Sequence, residues 1–216
     1  MFTIIPVPST RYIYSMDLHQ IPHRKEDDLK LIEYIDKLSK EQYPSTPSNI
    51  MSWRSEWNSH HVHREVMKCF LGDLFRIFAD DIVFPMASNP ESEIFLIDSW
   101  MSVQRKGDWI RRHDHHGFIK YHSFCYYLNM SNDSAPIRFH QYNIPAPSGQ
   151  ISDRTFDIHP AKGTLLIFDD SNQHSVDDTI DDRFTISGNI SFQPKIIDLE
   201  DDLPYLSMSK FFNNEK

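Results

Sequence analysis

The second half of this chain predicts a closed or two-sheet antiparallel β structure, mainly β with flanking helices, and three observations carry that reading. Ser123–Asn129, Thr164–Asp169 and Phe184–Phe192 are apolar runs of strand length. The histidines His113, His115 and His174 lie on or just outside predicted strands, so separate strands would bring them to one point. Ahead of this region the hydrophobic period is helical instead.

Taken in order, Asp27–Lys40 carries Leu31, Ile32, Ile35 and Leu38 at helical spacing, and Val62–Ala79 does the same with Val66, Phe70, Leu74 and Phe78. Helices of this kind buttress an outer face of a sheet. Between them, Tyr43–Asn49 reads as a loop. From Ile94 onward the signal is strands, punctuated by turns at Lys106-Gly107, Asn132-Asp133 and Ile144–Gly149. The stretch Arg138–Arg154, rich in proline and polar residues, reads as a lid or long connection between strands. Residues 1–216 are expected to form a single domain. Residues 1–92 make a helical preface packed on the core, 93–192 the β-core, and 193–216 a C-terminal extension.

The chemistry concentrates in Arg112-His113-Asp114-His115-His116 and, further on, Gln173-His174-Ser175-Val176 followed by Arg183. On a strand, residues i and i+2 share a face, so His113 and His115 can present two imidazoles to one ion while a distant strand supplies His174. Three protein ligands leave room for a small molecule, as in a catalytic rather than a structural site. Asp114 faces away on a regular strand. Arg183, Thr185 and Ser187 should share one face of their strand, and Arg offers a carboxylate a planar fork that Lys cannot. Tyr126 and Tyr127 must point opposite ways, one to core and one to a pocket. His60, His61 and His63 are a weaker metal candidate, read as structural; His116 and His122 are read as neighbours of the site. The acidic run Asp177–Asp182 and Glu200-Asp201-Asp202 are read as solvated loops.

A net charge of −9 over 216 residues argues against a nonspecific nucleic-acid binder. Cys69 and Cys125 fall in different elements without CxxC spacing, which predicts free thiols and a reducing compartment. No run reaches membrane-span length and the amino terminus lacks a leader-like core, so a soluble, cytoplasmic protein without membrane partners is expected. Oligomeric state cannot be read from the sequence.

With these motifs in place, the chain resembles the non-haem iron, 2-oxoglutarate-dependent oxygenases of the prolyl-hydroxylase type, and within them a group with an HxH first motif. The resemblance runs through Ser48–Ser55, Trp100–Leu128 with Lys106-Gly107, His113-x-His115 and Tyr126-Tyr127-Leu128, then Pro160–Phe168, His174-Ser175-Val176 and Arg183–Ser187. It implies a double-stranded β-helix (jelly-roll, cupin-like), Fe(II), 2-oxoglutarate and dioxygen, with hydroxylation of an unidentified small molecule or peptide. Residue by residue it implies His113, His115 and His174 as metal ligands and Arg183, Tyr127 and Ser187 as co-substrate contacts, with no catalytic residue beyond the metal centre. The chain departs from the commonest family pattern at His115, where Asp or Glu is usual; a neutral imidazole there raises the charge of the metal centre by one unit. Two alternatives stay open. A three-His cupin-like metalloenzyme would work without 2-oxoglutarate, and a non-catalytic jelly-roll protein would use the histidines for stability.

Overall fold

The computed structural model describes residues 3–5, 13–42, 49–82, 92–115, 122–131, 133–145, 151–194 and 205–213. Strands β1 (Thr3–Ile5), β2 (Ile13–Asp17), β4 (Trp53–Arg54), β5 (Ser92–Gln104), β7 (His122–Asn129), β10 (Thr164–Asp169), β12 (Arg183–Pro194) and β13 (Leu206–Ser207) form an eight-stranded sheet ordered β1-β2-β10-β7-β12-β5-β13, with β4 also on β5. A second sheet is ordered β3-β6-β11-β8-β9, from β3 (Ile50–Met51), β6 (Trp109–His113), β8 (Ile137–Pro145), β9 (Ile151–Ile158) and β11 (Gln173–Val176). Every ladder pairing of these strands is antiparallel. The two sheets form the expected double-stranded β-helix.

The large sheet is buried on both faces, and strand alternation divides its side chains between two environments. Phe124, Tyr126 and Leu128 of β7, Leu165 and Ile167 of β10, and Phe184 and Ile186 of β12 enter the main apolar core beneath the helices. Tyr127, Leu166 and Phe168 point the other way, joining Ile137 and Phe139 of the small sheet in a second cluster between the sheets. The main core is completed by α1 (Arg24–Glu41), through Leu31, Ile35 and Leu38, and by α3 (Arg64–Ile77), through Met67, Phe70, Leu71, Leu74 and Phe75. A fully buried side chain such as Phe70 contributes about 1.5–3 kcal/mol by removal from water. Charge placement supports α1, with Glu26 and Asp27 in its first turn and Lys40 in its last.

Buried charge also joins the helices to the sheet. Arg24 donates from Nε to Asp28 and from Nη1 to Asp73, 2.9 Å each, while Asp28 also meets His19 at 2.9 Å and the hydroxyl of Tyr126. Asp73 in turn meets His23 at 3.0 Å.

Several expectations need correction. The helix expected over Val62–Ala79 breaks at His63, which separates a short α2 (Ser59–Val62) from α3; a π-helical turn, Phe78–Ile82, follows α3. His63 leaves helical geometry while its ring meets the Tyr34 hydroxyl at 2.8 Å and Glu56 at 3.2 Å. The Arg138–Arg154 stretch is mostly strand: β8 and β9 pair, and Arg138 bridges Asp157 at 2.8 and 2.9 Å and Asp177 at 2.7 Å. Ile137 and Phe139 are buried between those polar residues, a two-residue alternation that the prolines obscured. The preface is not purely helical, since β1, β2 and β4 join the large sheet and β3 the small one. The loop expected at Tyr43–Asn49, apart from Asn49, and the turn residue Asn132 lie outside the described residues.

One irregularity bounds the cavity between the sheets. Along β5 and β12 the register is regular from Arg183↔Gln104 to Asn189↔Asp98, then shifts so that Ile190 faces Leu96 and Ile97 is left over. A one-residue slip moves every later side chain to the other face. Asp98, Trp100, Ser102 and Gln104 therefore line the cavity, whereas Leu96 and Ile94 enter the helix-side core.

Candidate metal and co-substrate centre

Sheet pairing brings the three histidines together. β6 and β11 run antiparallel with His174 opposite His113, and His115 follows just past the end of β6, where its N–H donates to the Asp170 carbonyl at 2.9 Å. His115 is thus not on the strand with His113 as expected, yet the rings converge. Centroids lie 4.3 Å apart for His113 and His174, 5.2 Å for His115 and His174, and 5.3 Å for His113 and His115. One ligand atom from each lies within 4.8 Å of the others, the one such group among the described residues. Asp114 points outward to Gln173, whose Nε2 donates to it at 2.9 Å.

In each ring Nδ1 is already committed. His113 donates from Nδ1 to the Arg111 carbonyl at 2.8 Å, and His174 to the Asn172 carbonyl at 2.9 Å. His115 Nδ1 meets Asn189 Oδ1 at 2.9 Å and Ser123 Oγ at 3.0 Å. A carbonyl only accepts, so Nδ1 carries the proton and Nε2 keeps its lone pair for an ion. Burial, which disfavours imidazolium, lowers the His113 and His174 pKa values and pushes His115 down to about 4. The donor set is neutral, preformed and free of competing protons at neutral pH. These residues fit a first-row divalent cation.

Beside this triad, the inner face of the large sheet is a ladder of polar rungs: Gln104 opposite Arg183, Ser102 opposite Thr185, and Asp98 opposite Asn189. Arg183 is only 2 % exposed; its Nη1 donates to the Ala135 carbonyl at 3.1 Å and its guanidinium carbon stands 4.8 Å from the centre of the Tyr127 ring. Arg183 Nε, the Tyr127 hydroxyl and Gln104 Nε2 are buried with no protein partner, although all three residues line one cavity of about 440 Å³. Unpaired buried donors are costly, about 1–3 kcal/mol each, and three at one end mark the place of an acceptor-rich ligand group. Burial also holds the Tyr127 hydroxyl well above its usual pKa, so it remains a donor. Ser187 lines the cavity as expected, while the Thr185 hydroxyl is engaged with Ser102 at 2.7 Å.

The far wall is aromatic. Trp100 lies 5.6 Å from the His115 ring and 4.6 Å from half-exposed Trp57, over which the Arg54 guanidinium sits at 3.6 Å. Asp98, in the last rung, is pushed up to about 7 by burial, against the opposing effect of its bond from Asn189.

The other histidine cluster forms no three-ligand group: the His60 and His61 rings lie 4.4 Å apart, but His63 turns to other partners. His60 Nδ1 pairs with Ser99 at 3.0 Å and His63 is held by Tyr34 and Glu56. His122 stands edge-on to Phe192 at 5.6 Å, and His116 lies outside the described residues. In the acidic run, Asp177 and Asp182 pair with Arg138 and Arg105; Glu200-Asp201-Asp202 lies outside the described residues. Cys69 and Cys125 are free thiols, with Cys125 on the cavity wall. Sequence reasoning did not single out Gln104, Asp98, Asn189 or Ser123. The alternation Asp98-x-Trp100-x-Ser102-x-Gln104 was the available signal for the first two.

A protein-family model described as "Putative 2OG-Fe(II) oxygenase" matches residues 98–189. No curated protein sequence matches the chain. Among solved structures, a Pseudomonas putida prolyl-4-hydroxylase superposes with a TM-score of 0.57 at 16% identity, covering 84% of this chain and 93% of that one. A prolyl hydroxylase from Trichoplax adhaerens, in complex with a hypoxia inducible factor oxygen degradation domain peptide fragment, gives 0.58 at 12%, covering 84% and 83%. HygX from Streptomyces hygroscopicus, with nickel and 2-oxoglutarate bound, gives 0.54 at 14%, covering 85% and 83%. At these identities the superpositions speak to the fold alone.

Proposed function

We propose that the chain is a 2OG-Fe(II) oxygenase, as the family model matching residues 98–189 supports, and that it is a hydroxylase in which His113, His115 and His174 hold Fe(II) and Arg183, Tyr127 and Ser187 hold 2-oxoglutarate. The observation that carries this reading is the neighbourhood of two unsatisfied sets: three imidazoles whose Nδ1 atoms are spent, and three buried donors that lack an acceptor.

The iron, when bound with its co-substrate, supplies the oxygen-activating chemistry. What the protein's own side chains do follows from their placement. Arg183 and Tyr127 offer a charged and a neutral donor to a distal carboxylate, an arrangement for which the planar guanidinium is suited. Ile137 and Phe168 keep that end dry, which strengthens those bonds. Trp57, Trp100, Ile50 and Ile110 form the wall against which a substrate C–H bond would be positioned, and holding it there is the protein's main contribution to the rate. The primary substrate is an unidentified small molecule or peptide. Two free cysteines support a reducing, cytoplasmic setting. No helix among the described residues is long and apolar enough to cross a membrane.

Anaerobic titration of the apoprotein with Fe(II) and then 2-oxoglutarate tests the assignment. A visible charge-transfer band on keto-acid chelation is expected, with weaker 2-oxoglutarate binding but near-normal metal binding in Arg183→Ala. Stoichiometric iron binding without that band would instead identify a three-His enzyme that does not use 2-oxoglutarate, and absence of metal binding would leave a non-catalytic jelly-roll protein.

A further inference from the structure

The histidine that replaces the usual carboxylate is backed by a carboxylate two hydrogen bonds away. His115 Nδ1 meets Asn189 Oδ1 at 2.9 Å, the Ser123 hydroxyl donates to the same oxygen at 2.7 Å, and Asn189 Nδ2 donates to Asp98 Oδ1 at 2.8 Å. Ser123 and Asn189 are buried, and Asp98 faces the cavity from the last rung before the β5 bulge. The rung is built to close tolerance. A Cβ on Gly188 would meet the Asp98 carbonyl at 2.4 Å and the Phe124 ring at 2.8 Å, so glycine alone lets β12 lie this near β5 beside Asn189.

We propose that Asp98, acting through Asn189, is a positioning residue that fixes the tautomer and orientation of His115 for metal ligation. An amide can run either way, and its two directions have opposite consequences. Above its raised pKa of about 7 the Asp98 carboxyl is ionised, and because an ionised carboxylate accepts and never donates, only the amide NH2 can then face it, as the bond from Asn189 Nδ2 shows. The amide oxygen must then face His115, which must carry its proton on Nδ1, leaving the Nε2 lone pair toward His113 and His174. Reversed, Asn189 would present NH2 to His115, require an acceptor at Nδ1, and put the proton on Nε2, where it blocks the ion. Ser123 can donate or accept and so does not choose. The choice falls to Asp98. The relay also supplies, at one remove, negative charge that a neutral ligand set lacks.

This inference rests on the metal-site reading, but its first test does not need a metal. Long-range 1H–15N correlation spectra of the apoprotein report the protonated nitrogen of each histidine ring. The expected result is the Nδ1–H form of His115 in the wild type, and appearance of the Nε2–H form in Asp98→Asn, where two amides can pair in either direction. Titration with Co(II), followed by its d–d absorption, should then show affinity lowered about 10–100-fold in Asp98→Asn, the usual cost of losing an outer partner, and restored in Asp98→Glu. If Asp98→Asn does not fold, Asp98→Ser makes the same comparison. An Nε2–H His115 in the wild type overturns the proposal outright, as does an Asp98 variant with unchanged tautomer and unchanged Co(II) affinity. Failure of the wild type to bind Co(II) or Fe(II) at all would count against the metal reading itself while leaving the tautomer result to stand or fall separately.

Discussion

Tyr126 and Tyr127 are neighbours on one strand, both fully buried, and they show the two ways this protein spends buried polarity. Tyr126 points under the helices, where its hydroxyl meets Asp28 inside a network with Arg24, Asp73 and two histidines. Tyr127 points between the sheets, where its hydroxyl and the Nε of Arg183 have no protein partner. Arg24 and Arg183 repeat the contrast one residue type up: the first binds two carboxylates, the second a single backbone carbonyl. Arg24 keeps an unpartnered Nη2 as well, so the contrast lies in what the paired nitrogens meet: carboxylates under the helices, and a lone carbonyl beside the cavity.

If that division is correct, the same substitution on the two faces should change different observables. The largest effect is expected from Arg24→Met, which leaves Asp28 and Asp73 buried without their guanidinium; urea unfolding should show a loss of about 3–5 kcal/mol. Arg183→Met should leave unfolding within about 1 kcal/mol, since no carboxylate is orphaned, while 2-oxoglutarate affinity measured by calorimetry falls by about two orders of magnitude, in line with the truncation of a buried charge pair. Equal stability losses from the two arginines would break the comparison.

The tyrosines sharpen it at smaller scale. Tyr126→Phe should cost about 1–3 kcal/mol by leaving Asp28 short of a donor, with co-substrate affinity unchanged. Tyr127→Phe deletes a hydroxyl that makes no well-formed hydrogen bond within the protein, so stability should hold or rise slightly while 2-oxoglutarate binds more weakly. A destabilised Tyr127→Phe would show that its hydroxyl has a structural partner after all.

The smallest effect concerns protons. His113, His115 and His174 titrate below their unfolded value of 6.5, His115 at about 4. Their depressed values mean stability present above pH 6.5 and lost as pH falls through the folded values, because the unfolded chain then binds protons that the folded site refuses. Asp98, raised to about 7, acts with the opposite sign: its contribution is present at low pH and lost as pH rises toward 7. Three groups against one predict a net decline of apoprotein stability from pH 6.5 to 4. Co(II) affinity should change little between pH 6 and 7.5, where ordinary histidines would lose ligand to protons. A steep rise in affinity over that interval would contradict the depressed values.

The sequence made half of this legible, for a physical reason. A strand exposes its period directly, so Tyr126 against Tyr127, and Arg183 with Thr185 and Ser187, could be assigned faces from alternation alone. The histidine spacing and the distant arginine are chemical signals that survive without a structure. Asp98 and Gln104 share an alternation with Trp100 and Ser102, but where that polar face ends was not legible, because it depends on where the extra residue at Ile97 shifts the register, and no residue type marks that point. Likewise β3 and β4 are two residues each and owe their existence to their partners, and β8 and β9 hide a regular alternation behind prolines and charge. Strand identity there is a tertiary property.

The place of β12 in the large sheet gives the site a history as well as a geometry. Formed late in chain order, it inserts between β7 and β5, which are not otherwise paired to each other. Without it the large sheet would be two unconnected halves, and the contacts that join them close long loops, the slow kind. The strand that completes the sheet also carries Arg183, Thr185, Ser187 and Asn189. Closure of the large sheet and completion of the polar wall are therefore one event, while the facing histidines His113 and His174 are brought together separately by the pairing of β6 with β11.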